Sequence, residues 1–159
     1  MNVTLRRSIA TAAAVLLVPA LSACGFDRPT DRVYNPGVGV NDRSGSVDVL
    51  HALVVSGEDG SGTVVAGLVN NDLEEADALT GIQGAGEDRA VSVTLDGDVE
   101  IPARGSVQLV DETEVSVEGE SVAPGNFVTL TFSFERGANV TLDVPVVDRR
   151  GDYADVPVP

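Results

Sequence analysis

Lysine and tryptophan are absent from this chain, and cysteine, methionine and histidine occur once each among its 159 residues. A single cysteine cannot close an internal disulfide. A single histidine, His51, leaves no second imidazole to act as base for a serine nucleophile, and no glycine-flanked serine elbow is present. The one methionine is Met1, so the rest of the chain holds no thioether for a soft metal ion. Aromatic residues make up 4% of the sequence, a poor platform for sugars. Cationic charge is scarce as well. Ten arginines face 25 acids, a net charge of −15, which argues against nucleic acid as a partner. Finally, the apolar run from Ile9 to Leu21 is 13 residues long and includes Thr11 and Pro19. A spanning helix needs about 20 apolar residues.

What is present at the start has the grammar of an export signal: Arg6 and Arg7, the apolar run, then small residues up to Ala23. The residues after Arg6-Arg7 do not follow the twin-arginine pattern, which favours the general secretory route. Leu21-Ser22-Ala23-Cys24 is similar to a bacterial lipobox. That similarity implies a diacylglyceryl thioether on Cys24, cleavage after Ala23 and acylation, such as palmitate, on the new amine. The chain is then expected on the extracytoplasmic face of the cell membrane, since two acyl chains anchor stably. The alternative is a soluble secreted protein cut after one of the alanines.

Removing residues 1–23 takes away Arg6 and Arg7 but no acid, leaving 8 basic against 25 acidic groups, or −17 on 136 residues. So acidic a body should stand off an anionic lipid surface. Residues 24–46 carry Pro29, Pro36, Gly37, Gly39 and Gly45 among polar residues and read as a lipidated cysteine with a tether. Its 22 residues after Cys24 would span at most roughly 70 Å, with a coil reach of about 25 Å.

From Val47 the apolar period is two. Val128, Leu130, Phe132 and Phe134 alternate with Thr129, Thr131 and Ser133, and Val140, Leu142, Val144 and Val146 repeat the pattern. The loop Glu135–Asn139 between them predicts an antiparallel hairpin. Shorter strands are predicted at 47–55, 63–69, 78–82, 91–95, 106–110 and 113–117. Asp72, with Glu75 three residues on and Leu73, Ala76 and Leu79 at helical spacing, predicts a short helical turn. Seven to eight strands between residues 47 and 147 predict an all-β, immunoglobulin-like or cupredoxin-like antiparallel β-sandwich, and residues 148–159 an exposed tail.

The order of motifs over residues 47 to 147 resembles the PCuAC-type periplasmic copper chaperones. Ala66-Gly67-Leu68, Asn70-Asn71, Leu79-Thr80-Gly81-Ile82 and Ile101-Pro102-Ala103-Arg104-Gly105 carry the similarity, with the closing hairpin. With the lipobox, the likeness extends to actinobacterial lipoproteins of the LpqE type. The resemblance implies Cu(I) held by a histidine, an isolated methionine and a His-x-Met pair. Those positions fall near Val93 or Thr94, in the loop from Asp96 to Glu100, and near Val115-Ser116-Val117. None carries a soft donor, so no metal site and no cofactor are expected.

The remaining chemistry is weak. His51 lies in phase with Val47, Val49, Leu53 and Val55 and reads as a half-buried packing or hydrogen-bonding residue. Carboxylates cluster at Asp72, Glu74, Glu75 and Asp77, at Asp96, Asp98 and Glu100, and at Asp111, Glu112 and Glu114, without a calcium-loop pattern. Arg150-Gly151-Asp152 reads as a polar turn, and Asn139-Val140-Thr141 as an incidental sequon. The expectation is a binding module and not an enzyme, anchored through Cys24, with another envelope protein as partner. Its contact surface is expected on the loops holding Asn70, Asn71 and Asp72, and Asp96 and Asp98. The alternative is a metal-handling chaperone with unfamiliar ligands, His51 among them.

Overall fold

The structure, a computed structural model, describes residues 37–57 and 60–159. The expected signal, Cys24 and the tether as far as Pro36 lie outside them.

Ten strands form the unit Gly37–Pro159: β1 (Val40–Asp42), β2 (Val47–Ser56), β3 (Ser61–Asn70), β4 (Asp77–Gly84), β5 (Ser92–Leu95), β6 (Val99–Ile101), β7 (Ser106–Gln108), β8 (Val115–Glu118), β9 (Phe127–Phe134) and β10 (Val140–Asp148). One short helix, α1 (Leu109–Glu112), follows β7. The hydrogen-bonded order is β5-β8-β3-β2-β10-β9-β4-β6, with β1 beside β2 and β7 beside β3. Among the described residues no helix is long and apolar enough to cross a membrane.

The ladder curls into a sandwich because β10 serves two sheets. Val140 to Pro145 pair antiparallel with β9, whereas Val146 to Asp148 pair parallel with β2. Pro145 marks the switch: the Val146 N–H still bonds on the β9 side, so alternation turns the Pro145 position toward β2, where its missing N–H keeps the parallel pairing from starting before Val146. Immediately after it, Val146 N–H donates to the Asn126 carbonyl at 2.9 Å. The closing hairpin is antiparallel as its alternation predicts, and the parallel β2–β10 pair departs from a purely antiparallel reading. The core between the layers is built from Phe132, Leu130, Leu68, Leu79, Ile101 and Leu109 with a rim of valines, the largest of them fully buried.

Five local expectations change. Val40–Asp42, within the expected tether, pairs with β2, and Val99–Ile101 supplies an edge strand to β4. Asp72 does cap, accepting the Glu74 and Glu75 N–H groups at 2.9 and 3.1 Å, but no helix follows because Asp77 already pairs with Ile101. The predicted strand at 106–110 ends at Gln108 and turns into α1.

The fifth change is at His51. Leu50 pairs with Gly67 and Leu53 with Val65, so β2 holds one extra residue there, a β-bulge. His51 adopts φ 54°, in the left-handed region. Its N–H, turned out of the ladder, donates to Asn41 Oδ1 at 2.7 Å. The bulge reverses the alternation. Val47, Val49, Ala52 and Val54 face the main core, while His51 is exposed and Leu53 and Val55 face outward.

Candidate functional site

Two of the three positions where the resemblance implies copper ligands, near Val93 or Thr94 and near Val115-Ser116-Val117, come together in one ladder. β5 and β8 are antiparallel, with Val93 opposite Val117, Thr94 opposite Ser116 and Leu95 opposite Val115. Val115 and Val117 are fully buried in the core, and Val93 and Leu95 pack against it. The outward pair, Thr94 and Ser116, offers hydroxyls only. A soft d¹⁰ ion wants thiolate, thioether or imidazole, so this donor set does not suit Cu(I). Among the described residues no three His, Cys, Asp or Glu side chains are grouped to hold a metal ion.

The expected contact loops adjoin one another at the other end of the strands. Asn70 is buried, and its amide donates to the Glu75 and Ile101 carbonyls at 2.9 and 3.2 Å. It therefore holds the loop instead of presenting itself. Asn71 is exposed and donates from Nδ2 to Asp48 Oδ1 at 2.8 Å. Asp72 accepts the Arg104 N–H on its carbonyl, and Arg104 Nε donates to the Leu73 carbonyl. Arg104 sits at φ 55°, a position the resembled family fills with glycine. Leu73 projects from this loop, 63% exposed.

Two shallow polar pockets open here. One of about 210 Å³ is lined by Ser46, Asn70, Asp72, Glu75, Asp77 and Arg136. The other brings Asp98 and Glu100 beside Ala76, Asp77, Ala78 and Glu135. Asp98 thus meets the 70–77 loop, whereas Asp96 lies on the exposed turn before it.

His51 and the C-terminal residues make a second cluster. The imidazole stacks on Tyr153 with ring centroids 6.4 Å apart, and Nε2 lies 3.1 Å from the Tyr153 hydroxyl. Thr63 Oγ1 donates to the Pro157 carbonyl at 2.6 Å. Between these contacts the C-terminal segment crosses the outer face of β2 and β3. That explains why Leu53 and Val55 are fully buried although they face away from the main core. Burial, and secondarily the charge of Asp152, raise the Tyr153 hydroxyl above its usual pKa.

Asp88 closes a third feature. Its Oδ2 accepts the Thr129 N–H at 2.8 Å, and this bond, with one from Ser121, lowers its pKa below the usual carboxylate value.

One surface escaped the sequence reading. Val38, Pro124, Gly125, Asn126, Phe127, Pro145, Val146, Val147 and Asp148 line an open groove of about 530 Å³. The available signal was Phe127. It sits on the outward phase of β9, where the next outward residues are Thr129, Thr131 and Ser133.

No family profile and no curated protein matches the chain. Solved structures do. The copper-bound PCuAC domain from PmoF2 aligns with TM-score 0.57 and 18% identity, covering 69% of this chain and 98% of that domain. The apo PmoF2 PCuAC domain gives 0.56 at 18% identity, covering 70% and 98%. The apo PCuAC domain from PmoF1 gives 0.54 at 16%, covering 69% and 99%. At such identities the likeness establishes the fold. About seven-tenths of this chain therefore carries the PCuAC-type fold, a β-sandwich.

Proposed function

We propose that the chain is a lipid-anchored, extracytoplasmic interaction module that uses the PCuAC-type scaffold without a Cu(I) site. The observation that carries this reading is the β5–β8 ladder. Where the resemblance calls for a histidine and a His-x-Met pair, this chain has Val93 or Thr94 and Val115-Ser116-Val117, the valines packed on the core and the hydroxyl residues facing outward. Those positions stabilise the sandwich and leave nothing soft to bind a metal. His51 offers no substitute site, because its imidazole is engaged by Tyr153.

The anchor is the lipidated Cys24, supported by the lipobox and by the lack of a second cysteine to pair with it. A non-enzymatic role is supported by the same scarcity. The lone imidazole lies against a tyrosine, and the buried carboxylates Asp48 and Asp77 are taken up by the Asn71 amide and by backbone N–H groups. The partner is an envelope protein, met at the end of the sandwich where Leu73, Asn71, Asp72 and Asp98 stand exposed or half-exposed around the two polar pockets. Loops presented at the end of a rigid sandwich are where such folds place recognition.

Competition between the purified domain and a chromophoric Cu(I) chelator tests the reading. The expected result is no transfer of copper to the protein. Tight one-to-one binding would overturn it, and loss of that binding in His51→Ala would then place the ligand. Crosslinking at the membrane, with Leu73→Asp as the disrupting variant, tests the contact end.

A further inference from the structure

The exposed large hydrophobic side chains among the described residues are Val38, Leu73 and Phe127, at 55, 63 and 61%. Two of the three converge on the groove at Pro124–Phe127 and Pro145–Asp148. This groove lies at the opposite end of the sandwich from Leu73. Val147 pairs with Val55 near the end of β2, whereas Asn70, next to the Leu73 loop, pairs with Val47 at its start. Eight residues of strand separate the two levels, about 27 Å.

The position of the chain start selects the occupant. Val38 lines the groove, and Gly37 beside it is the first described residue. Twelve residues lie between it and Cys24, and a coil of that length reaches about 20 Å, less than the distance between the two ends. A lipid on Cys24 therefore keeps this end near the membrane. Local charge permits contact although the whole chain is strongly acidic. Residues 24–36 balance Asp27 and Asp31 against Arg28 and Arg32, and residues 148–159 set Arg149 and Arg150 against Asp148, Asp152 and Asp155. The one charged residue lining the groove, Asp148, pairs with Arg150 at 3.8 Å. Glu118 and Glu120, at the same end, line a separate pocket, and Asp77, Asp98, Glu100 and Glu135 line the distal one. An aromatic ring on an otherwise polar strand face, flanked by arginine, suits the boundary between acyl chains and headgroups.

We propose that Val38 and Phe127, with the groove between Pro124 and Val147, rest on the lipid surface and hold the sandwich upright, with the Leu73 end facing away from the membrane. This rests on the lipid-anchor reading of Cys24, so the test supplies the anchor chemically. Every residue of the main core lies between Val47 and Val146, so the chain from Cys24 onward keeps the whole core. Its single cysteine is coupled to a maleimide lipid in phosphatidylcholine vesicles. Because the sequence has no tryptophan, Phe127→Trp and Leu73→Trp each give a single reporter.

The expected result is blue-shifted Phe127→Trp emission that is quenched by brominated acyl chains, with Leu73→Trp left solvent-like and unquenched. Adding Val38→Asp to Phe127→Trp should abolish the quenching. Solvent-like emission from both reporters overturns the proposal. So does a blue shift without bromine quenching that accompanies a dimer in sedimentation, which would give the groove to a second copy. Whether cells acylate Cys24 is read separately from the mass of the membrane-extracted protein, so failure of the anchor and failure of the groove contact are distinguishable.

Discussion

Asp77 and Gly137, 60 positions apart, are joined by a hydrogen bond of 2.9 Å from the Gly137 N–H to Asp77 Oδ2. Oδ1 of the same buried carboxylate accepts the Arg136 N–H at 3.0 Å and that of Ala78 at 2.8 Å. Asp77 thereby fastens the β9–β10 turn to the start of β4. Asp77→Ala leaves these N–H groups partly buried without an acceptor and should destabilise the domain by about 1–3 kcal/mol. Urea unfolding measures it, and Glu75→Ala, which removes only the exposed pair with Arg136, should cost less than about 1 kcal/mol.

Truncation before Gly151 should remove the cover from Leu53, Val55 and Thr63. Fully burying one such apolar side chain contributes about 1.5–3 kcal/mol, so a loss of roughly 3 kcal/mol is expected. Faster amide exchange along β2 and the centre of β3, with the β9–β10 hairpin unchanged, would locate the effect on the outer face.

Arg104 stands at φ 55° in a turn where glycine is unstrained. Arg104→Gly should stabilise the domain by up to about 1 kcal/mol, the relieved strain exceeding the loss of an exposed bond to the Leu73 carbonyl. A rise in melting temperature checks it.

For Asp88, hydrogen bonding lowers the native pKa, so its contribution to stability is present above the unfolded value, about 3.9, and is lost as pH falls through the native one. The stability gap between the unsubstituted protein and Asp88→Asn should be flat from neutral pH down to about pH 5 and should narrow below about pH 4.

Tyr153 shifts the other way. Its raised pKa favours the neutral phenol in the folded state, so this contribution is complete below about pH 10, the unfolded value, and fades as pH rises through the native one. Absorbance titration should show Tyr153 ionising later than in the unfolded chain, and Tyr153→Phe should remove that late step with only a small change in stability.

Strands with strict alternation were legible because burial of one face imposes a period of two. Val128–Phe134 and Val140–Val146 needed no further information. Short edges were not: Val40–Asp42 and Val99–Ile101 have only three residues each, and pairing with β2 and β4 makes them strands. Missing histidine and methionine can be counted in the sequence, whereas the inward facing of Val115 and Val117 needed the pairing of β5 with β8. The groove was not, because Val38 and Phe127 are 89 positions apart and meet only when β1 and β10 both lie along β2.

Composition and periodicity by themselves determined a strand-rich, acidic body with one histidine, one methionine and one cysteine, because those are properties of residue type and spacing. Tertiary structure alone decided which face each residue takes. One extra residue at His51 reverses the phase of β2, and Pro145 passes β10 from one sheet to the other. A local pattern cannot carry either outcome, since both depend on which distant strand accepts or withholds a hydrogen bond.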